Sequence, residues 1–237
     1  NIQPMELVTS LTLHATDMVM VCGEKGERLT TPLTVFCNKT SVAGARGSLL
    51  VNGKAVGCSL VFNSKGAAEF EGGDAFVPHG VAASLSVFEG RNAAEVSVSS
   101  GGEASSIQFD LWVWLAGDQA VIVDIDGTIT KSDVRGLVAT QIQDTASFLG
   151  NALSGANPRA SELMTSAAMA ADYTHDGVAQ VMCDIRSKGY RIVYLTARPI
   201  TLVDKTRQFL FSVGRGSSHR LPEGPLITQD CATMKAL

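Results

Sequence analysis

Two aspartates stand two residues apart in Asp124-Ile125-Asp126-Gly127-Thr128, directly after the apolar run Val121-Ile122-Val123. A short continuous apolar run is the pattern of a strand buried on both faces of a parallel sheet. Ligands of open parallel sheets gather outside the carboxyl ends of the strands. If the backbone stays near-extended, residues two apart face the same way, so Asp124 and Asp126 are expected to share one pocket. Carboxylates placed together repel, and either a cation neutralises them or one takes a proton. Both outcomes serve phosphoryl transfer. An ionised Asp124 can attack phosphorus and form an aspartyl-phosphate. A protonated Asp126 can give its proton to the leaving alcohol and later deprotonate a water. Magnesium, which takes oxygen ligands, would offset the charge on the phosphoryl oxygens. Gly127 has no Cβ and lets the backbone approach the phosphate.

A second element ends the following strand. In Leu195-Thr196-Ala197-Arg198 a hydroxyl, backbone N–H groups and a guanidinium fall at the same sheet edge, all suited to holding a phosphate. Around it the charge is uneven. Residues 186–220 carry eight Lys and Arg against the single carboxylate of Asp204. Such an excess can draw an anionic headgroup, although a solvated face is the plainer reading.

The elements that must position these groups read differently in the two halves. Up to about Leu115 the chain is strand-like, with short segments at 18–21, 33–36, 48–51, 59–62, 84–88, 95–98 and 109–114 that are rich in β-branched and aromatic residues. Turn residues separate them, among them Asn52-Gly53 and Gly101-Gly102. About seven short strands at such spacing predict a β-sandwich. After Ala116-Gly117-Asp118 strands and helices alternate, which predicts a parallel α/β sheet. A helix is expected from Val134, Val138, Ile142, Leu149 and Leu153, and a short Ala/Met-rich one after Ser161. Another carries Val178, Val181, Met182 and Ile185 and ends at Gly189, and a last one closes at Gly214.

Composition bounds the reading. At 237 residues, 45% hydrophobic and 18% charged, the chain can build a real core, and its net charge of −4 gives no hint of a nucleic-acid partner. No apolar run approaches the ~18 residues of a membrane span. Five cysteines with no Cys-x-x-Cys spacing predict reduced thiols in a cytoplasmic protein.

The residues Asp124 to Thr128 with Thr196 resemble the first two motifs of the haloacid dehalogenase superfamily. The longer run Asp124-Ile125-Asp126-Gly127-Thr128-Ile129-Thr130-Lys131-Ser132-Asp133 is similar to the lipin family. So are Asp172-Tyr173-Thr174-His175-Asp176-Gly177, Tyr194-Leu195-Thr196-Ala197-Arg198 and Leu221-Pro222-Glu223-Gly224-Pro225. Asp17-Met18-Val19-Met20-Val21 through Pro32-Leu33-Thr34-Val35-Phe36 resembles that family's N-terminal region. The resemblance implies magnesium-dependent hydrolysis of phosphatidate to diacylglycerol and phosphate. It implies Asp124 as nucleophile, Asp126 as acid and base, and both as metal ligands, Asp126 through its main-chain oxygen. Gly127, Thr128, Thr196 and Ala197 would bind phosphate, with Lys131, His175 and Arg198 as possible contacts of the substrate. The implied fold is a Rossmann-like haloacid dehalogenase domain, residues 117–237, packed on an immunoglobulin-like β-sandwich, residues 1–116. The family's later Lys and Gly-Asn-x-x-x-Asp element do not appear before Leu237, so the catalytic domain is expected to be truncated at its C-terminus. Residues 134–171 are longer than the corresponding family segment and read as a surface insertion. The implied partner is a phosphatidate-containing membrane surface, met peripherally at the endoplasmic reticulum or nuclear membrane. Two other readings stay open: a module that binds phosphatidate without turnover, and a phosphatase of soluble esters or phosphoproteins.

Overall fold

The computed structural model describes residues 10–131 and 173–229. The chain divides into two compact units between Ala116 and Gly117. The helices expected over 134–153 and after Ser161, and the insertion at 134–171, lie outside the described residues.

In the first unit the strands are β1 (Leu13–Ala15), β2 (Met18–Cys22), β3 (Arg28–Thr30), β4 (Val35–Cys37), β5 (Arg46–Val51), β6 (Lys54–Phe62), β7 (Ala68–Phe70), β8 (Gly90–Ser100) and β9 (Glu103–Leu115). Seven of them form one sheet in the order β3-β2-β9-β8-β5-β6-β7, and β1 and β4 pair as a separate ribbon. The predicted turns do the local work. Asn52 at φ 50 and Gly53 at φ 75 join β5 to β6, and Gly101 and Gly102, at φ 59 and φ 81, join β8 to β9. Both central residues at positive φ give the turn whose twist matches the flanking strands. The core of this unit is built on Met18, Met20, Leu60, Phe62 and Phe70, all essentially inaccessible to water. Trp112 and Trp114 are buried as well, so neither ring is offered to a lipid surface.

Two features differ from expectation. β2 pairs in parallel with β9, Met18 opposite Leu111 and Cys22 opposite Leu115, a contact across the unit that periodicity cannot show. The segment 84–88 is no strand: helix α1 (His79–Ser84) ends there, and residues 85–88 run without ladder partners. The Asn92 side chain takes that role. Its amide donates to the carbonyls of Phe88 at 2.7 Å and Gly90 at 3.1 Å, and its oxygen accepts from the Phe88 N–H at 3.0 Å and the Asn52 amide at 2.9 Å. A fully buried amide with every bond made fixes the loop that a strand would otherwise occupy.

In the second unit β10 (Ala120–Asp124), β11 (Arg191–Pro199) and β12 (Leu226–Gln229) are parallel and in that order. Helix α2 (Val178–Ser187) precedes β11 and α3 (Val203–Ser212) follows it. Gly189, at φ 92, follows the end of α2 as expected of a helix stop. The core joins Val123, Ile125, Ile129, Met182, Ile192, Tyr194, Phe209, Leu210 and Leu226. Burial on both faces of the Val121-Ile122-Val123 strand is not observed: Ile122 is 66% exposed and its neighbour Leu195 is 42% exposed. The two described helices pack against one face of the sheet, and apolar composition alone does not say how many faces are covered.

Cys22, Cys37, Cys58 and Cys183 are free thiols. Burial, with Glu71 nearby, raises the Cys58 thiol above its ordinary range.

Candidate active site

Asp124 is the last residue of β10, in register with Leu195 of β11, and it lies exposed at the strand tip. The chain does not continue extended. The next five residues make one wide turn in which the Thr130 N–H donates to the Ile125 carbonyl at 3.0 Å. The Thr130 hydroxyl donates to the same carbonyl at 3.2 Å and accepts from the Gly127 N–H at 3.1 Å. Gly127 stands at φ 88, a conformation that costs any residue with a Cβ. Ile125 and Ile129 anchor the turn in the core.

The two aspartates differ in exposure. Asp124 stays at the surface, while Asp126 is only 8% exposed. The carboxylate of Asp126 has its partners on β11. The Thr196 hydroxyl donates to Asp126 Oδ2 at 2.8 Å. Arg198 donates to Asp126 Oδ1 through Nε at 3.2 Å and Nη2 at 2.7 Å. The Arg198 N–H closes the group by donating to the Thr196 hydroxyl at 3.1 Å. Both carboxylate oxygens thus act as acceptors in a buried ion pair, the arrangement of a charge that tolerates burial because it is matched. The guanidinium also lies 5.6 Å from the centre of the Phe209 ring, within cation–π range.

The other predicted site residues fall outside this closed group. Gly127, Thr128 and Ala197 are exposed at the same end of the sheet, the N–H of Gly127 being taken by the Thr130 hydroxyl. Lys131 and His175 are exposed too. His175 is held through its main chain, its N–H donating to the Ile129 carbonyl at 3.0 Å, and the Lys131 N–H donates to the Tyr173 carbonyl at 2.7 Å. These bonds bring residue 173 back beside the turn. Of the eight cations in 186–220, two face inward to carboxylates, Arg198 to Asp126 and Arg191 to Asp118 at 2.9 Å. Part of the apparent basic surface is therefore internal.

Sequence reasoning missed three contributors. Thr228, opposite Thr196 on β12, is buried with its hydroxyl bonded to nothing among the described residues. The signal was present: Thr228 follows an apolar pair just as Thr196 follows Tyr194-Leu195. Thr130 fastens the Asp126 turn, as the repeated Thr-x-Thr after Gly127 could suggest. Tyr194 reaches from β11 to the Pro222 carbonyl at 2.7 Å and holds the Leu-Pro-Glu-Gly-Pro segment down. Burial raises its phenol far above the usual range, so it acts only as a neutral donor.

The donor set at the strand tip suits a hard cation. It offers the exposed carboxylate of Asp124 and the main-chain oxygen of Asp126, whose own carboxylate is occupied by Arg198 and Thr196. Magnesium is held by one or two such oxygens together with water and substrate phosphate. Among the described residues no group of three or more His, Cys, Asp or Glu side chains surrounds a cation position.

Comparison with known proteins agrees with this part of the chain. The sequence model of the LNS2 (Lipin/Ned1/Smp2) family matches residues 79–152 and 160–237. Fission yeast (Schizosaccharomyces pombe) nuclear elongation and deformation protein 1 is 34% identical over 65% of this chain and 19% of its own length. Phosphatidic acid phosphohydrolase 1 of Saccharomyces cerevisiae is 35% identical over 65% of this chain and 14% of its own. Human phosphatidate phosphatase LPIN3 is 30% identical over 65% of this chain and 15% of its own. The alignments thus span under a fifth of each relative. Among solved structures, a Parabacteroides merdae β-glucuronidase overlaps 48% of this chain and 13% of its own at 14% identity and a TM-score of 0.30, too little to inform the fold. The family match covers the turn that carries Asp124 and Asp126, the strand that carries Thr196 and Arg198, and the Leu-Pro-Glu-Gly-Pro segment beside them: this chain belongs to the LNS2 (Lipin/Ned1/Smp2) family.

Proposed function

We propose that this chain is a magnesium-dependent phosphatidate phosphatase, releasing diacylglycerol and phosphate through an aspartyl-phosphate on Asp124. The second unit is its haloacid dehalogenase-type catalytic domain, with a Rossmann-like parallel sheet, and the first an immunoglobulin-like partner. One observation carries the reading: an exposed aspartate at a parallel strand tip, followed two residues later by a buried aspartate bonded to the Thr and Arg of the next strand. The names of the relatives, phosphatidic acid phosphohydrolase and phosphatidate phosphatase, supply the substrate.

In this mechanism an Asp124 carboxylate oxygen attacks phosphorus and the ester P–O bond breaks. Asp126, once free of Arg198, takes a proton from water and passes it to the departing diacylglycerol oxygen. Water then attacks the acyl phosphate, Asp126 recovers the proton, and phosphate leaves. The backbone N–H groups of Thr128 and Ala197 bind the phosphoryl oxygens, Gly127, whose own N–H is held by the Thr130 hydroxyl, lets the phosphate approach the backbone, and Lys131, His175 and Arg198 line the headgroup side. Magnesium, held by Asp124 and the main-chain oxygen of Asp126, supplies charge neutralisation at the phosphoryl oxygens. The substrate is met at a membrane surface, peripherally, at the cytoplasmic face of the endoplasmic reticulum or nuclear membrane. No described helix is long and apolar enough to cross a membrane.

The test is phosphate release from phosphatidate in detergent micelles, with magnesium and after chelation. Release is expected from the parent, with loss of at least about a thousandfold in Asp124→Asn, the scale seen when a covalent nucleophile is removed. Binding of phosphatidate without release would instead identify a sensing module. Release from soluble esters alone would exclude the lipid substrate.

A further inference from the structure

The bonds at Asp126 hold a consequence for how the site takes phosphate. Asp126 Oδ1 accepts two bonds from Arg198 and Oδ2 accepts one from Thr196, so both oxygens are engaged in the arrangement observed and Oδ1 fully so. Arg198, for its part, is underused. Nε and Nη2 converge on the single oxygen Oδ1, and Nη1 donates to nothing among the described residues. A guanidinium is a planar fork whose best partner offers two oxygens at matching spacing, as a phosphate does. The side chain is seated for such a role: it is buried beside Phe209 and follows Thr196 by two residues at the end of the strand neighbouring Asp124.

We infer that Arg198 is a partner-exchanging residue: in the resting state it binds the Asp126 carboxylate, and the phosphate of an incoming ligand takes its guanidinium and frees that carboxylate to take from water the proton it passes to the leaving oxygen. This rests on the reading of the second unit as a phosphatase. Arg198 is then both the phosphate-binding group and the device that positions Asp126, and the two anions compete for it. Thr196 stays on Asp126 throughout and keeps the freed carboxylate from swinging away.

Competition makes a prediction of unusual sign. Removing the charge of Asp126 should strengthen phosphate binding, and only where Arg198 is present to be freed. Binding of inorganic phosphate is measured by titration calorimetry in the presence of magnesium, for the parent, Asp126→Asn, Arg198→Lys and the double variant, each checked for folding by its thermal transition. Asp126→Asn is expected to tighten phosphate about fivefold or more, the scale of one charge-assisted bond. In the Arg198→Lys background the same change should alter affinity by less than about twofold, because a lysine cannot reproduce the fork. Equal tightening in both backgrounds would reduce Asp126 to simple charge repulsion and overturn the exchange, as would weaker binding in Asp126→Asn or no phosphate binding in either form. Should Arg198→Lys fail to fold, Arg198→Gln combined with Asp126→Asn replaces it as a neutral hydrogen-bonded pair. The readout needs no turnover: the coupling appearing in a protein that releases no phosphate from phosphatidate would retain the exchange and reject the phosphatase, and turnover without the coupling would do the reverse.

Discussion

Thr196 and Asp126, seventy residues apart in sequence, share a 2.8 Å hydrogen bond inside the second unit. The same hydroxyl accepts the Arg198 N–H at 3.1 Å. One small side chain thus joins the turn after β10 to the end of β11.

Replacing Thr196 with valine keeps the shape and removes both bonds. Oδ2 of Asp126 loses its donor and the Arg198 N–H its acceptor, in a place water does not reach. Thr196→Val should cost about 1–3 kcal/mol, the penalty of stranded buried polar groups, and Thr196→Ser much less. Chemical denaturation of the pair checks this. A drop in phosphate release that serine restores and valine does not would tie the hydroxyl to function as well.

This group was half legible in the sequence. Asp-x-Asp-Gly-Thr after an apolar run fixed the place of Asp124 and Asp126, and the strand ending at Thr196 and Arg198 was plain from its composition. That Asp126 turns inward to Arg198 was not, because the reasoning assumed an extended backbone. The wide turn closed by Thr130 breaks the period-two alternation at the point where it mattered. The same limit explains the first unit. Asn52-Gly53 and Gly101-Gly102 announce their hairpins because φ is a local property. The parallel pairing of β2 with β9 is a long-range contact that no window of sequence contains, and the way Asn92 holds residues 85–88 out of the sheet is a side-chain bond that hydrophobic periodicity does not report.

Gly224 should resist substitution for a reason unrelated to φ. A Cβ on this residue would run into the Ile192 carbonyl oxygen, part of the backbone of β11. The Leu-Pro-Glu-Gly-Pro segment is pressed against that strand by the Tyr194 N–H to the Pro225 carbonyl at 2.9 Å and by the Tyr194 hydroxyl to Pro222. Gly224→Ala forces the two backbones apart and should cost about 1–3 kcal/mol, as overpacking does. Thermal unfolding checks it, with Gly57→Ala as a control where φ is ordinary and a Cβ meets open space.

Asn92 makes a separate prediction in the first unit. Asn92→Leu is close in size but strands the Phe88 N–H and two carbonyls, so it should cost about 2–4 kcal/mol, a buried network broken on one side. Asn92→Asp should be no better. The acid keeps an acceptor for Phe88 N–H but brings a charge toward the Phe88 and Gly90 carbonyls. A leucine variant as stable as the parent would show that the loop 85–88 is held by other contacts.

The ion pair between Lys39 and Glu103 gives a pH dependence whose sign can be worked out. The Lys39 ammonium hydrogen-bonds Glu103 Oε2 at 2.7 Å, the Leu11 N–H adds a second bond at 3.1 Å, and together they hold the carboxyl below its ordinary range against an opposing loss of hydration. A folded-state value below the unfolded one means that the unfolded chain binds protons first as pH falls. The pair therefore stabilises the fold above the ordinary titration range of glutamate and loses that contribution as the pH drops through the lowered folded value. Glu103→Gln removes the effect. Its melting temperature should fall below that of the parent at neutral pH and converge with it in acid, once the pH has dropped through the lowered folded value. A difference that persists unchanged into acid would mean that Glu103 acts through its bond to Leu11 alone, since glutamine can accept that bond at every pH only if its oxygen turns the right way. Added salt should shrink the neutral-pH difference, because the carboxylate lies at the surface where ions screen it.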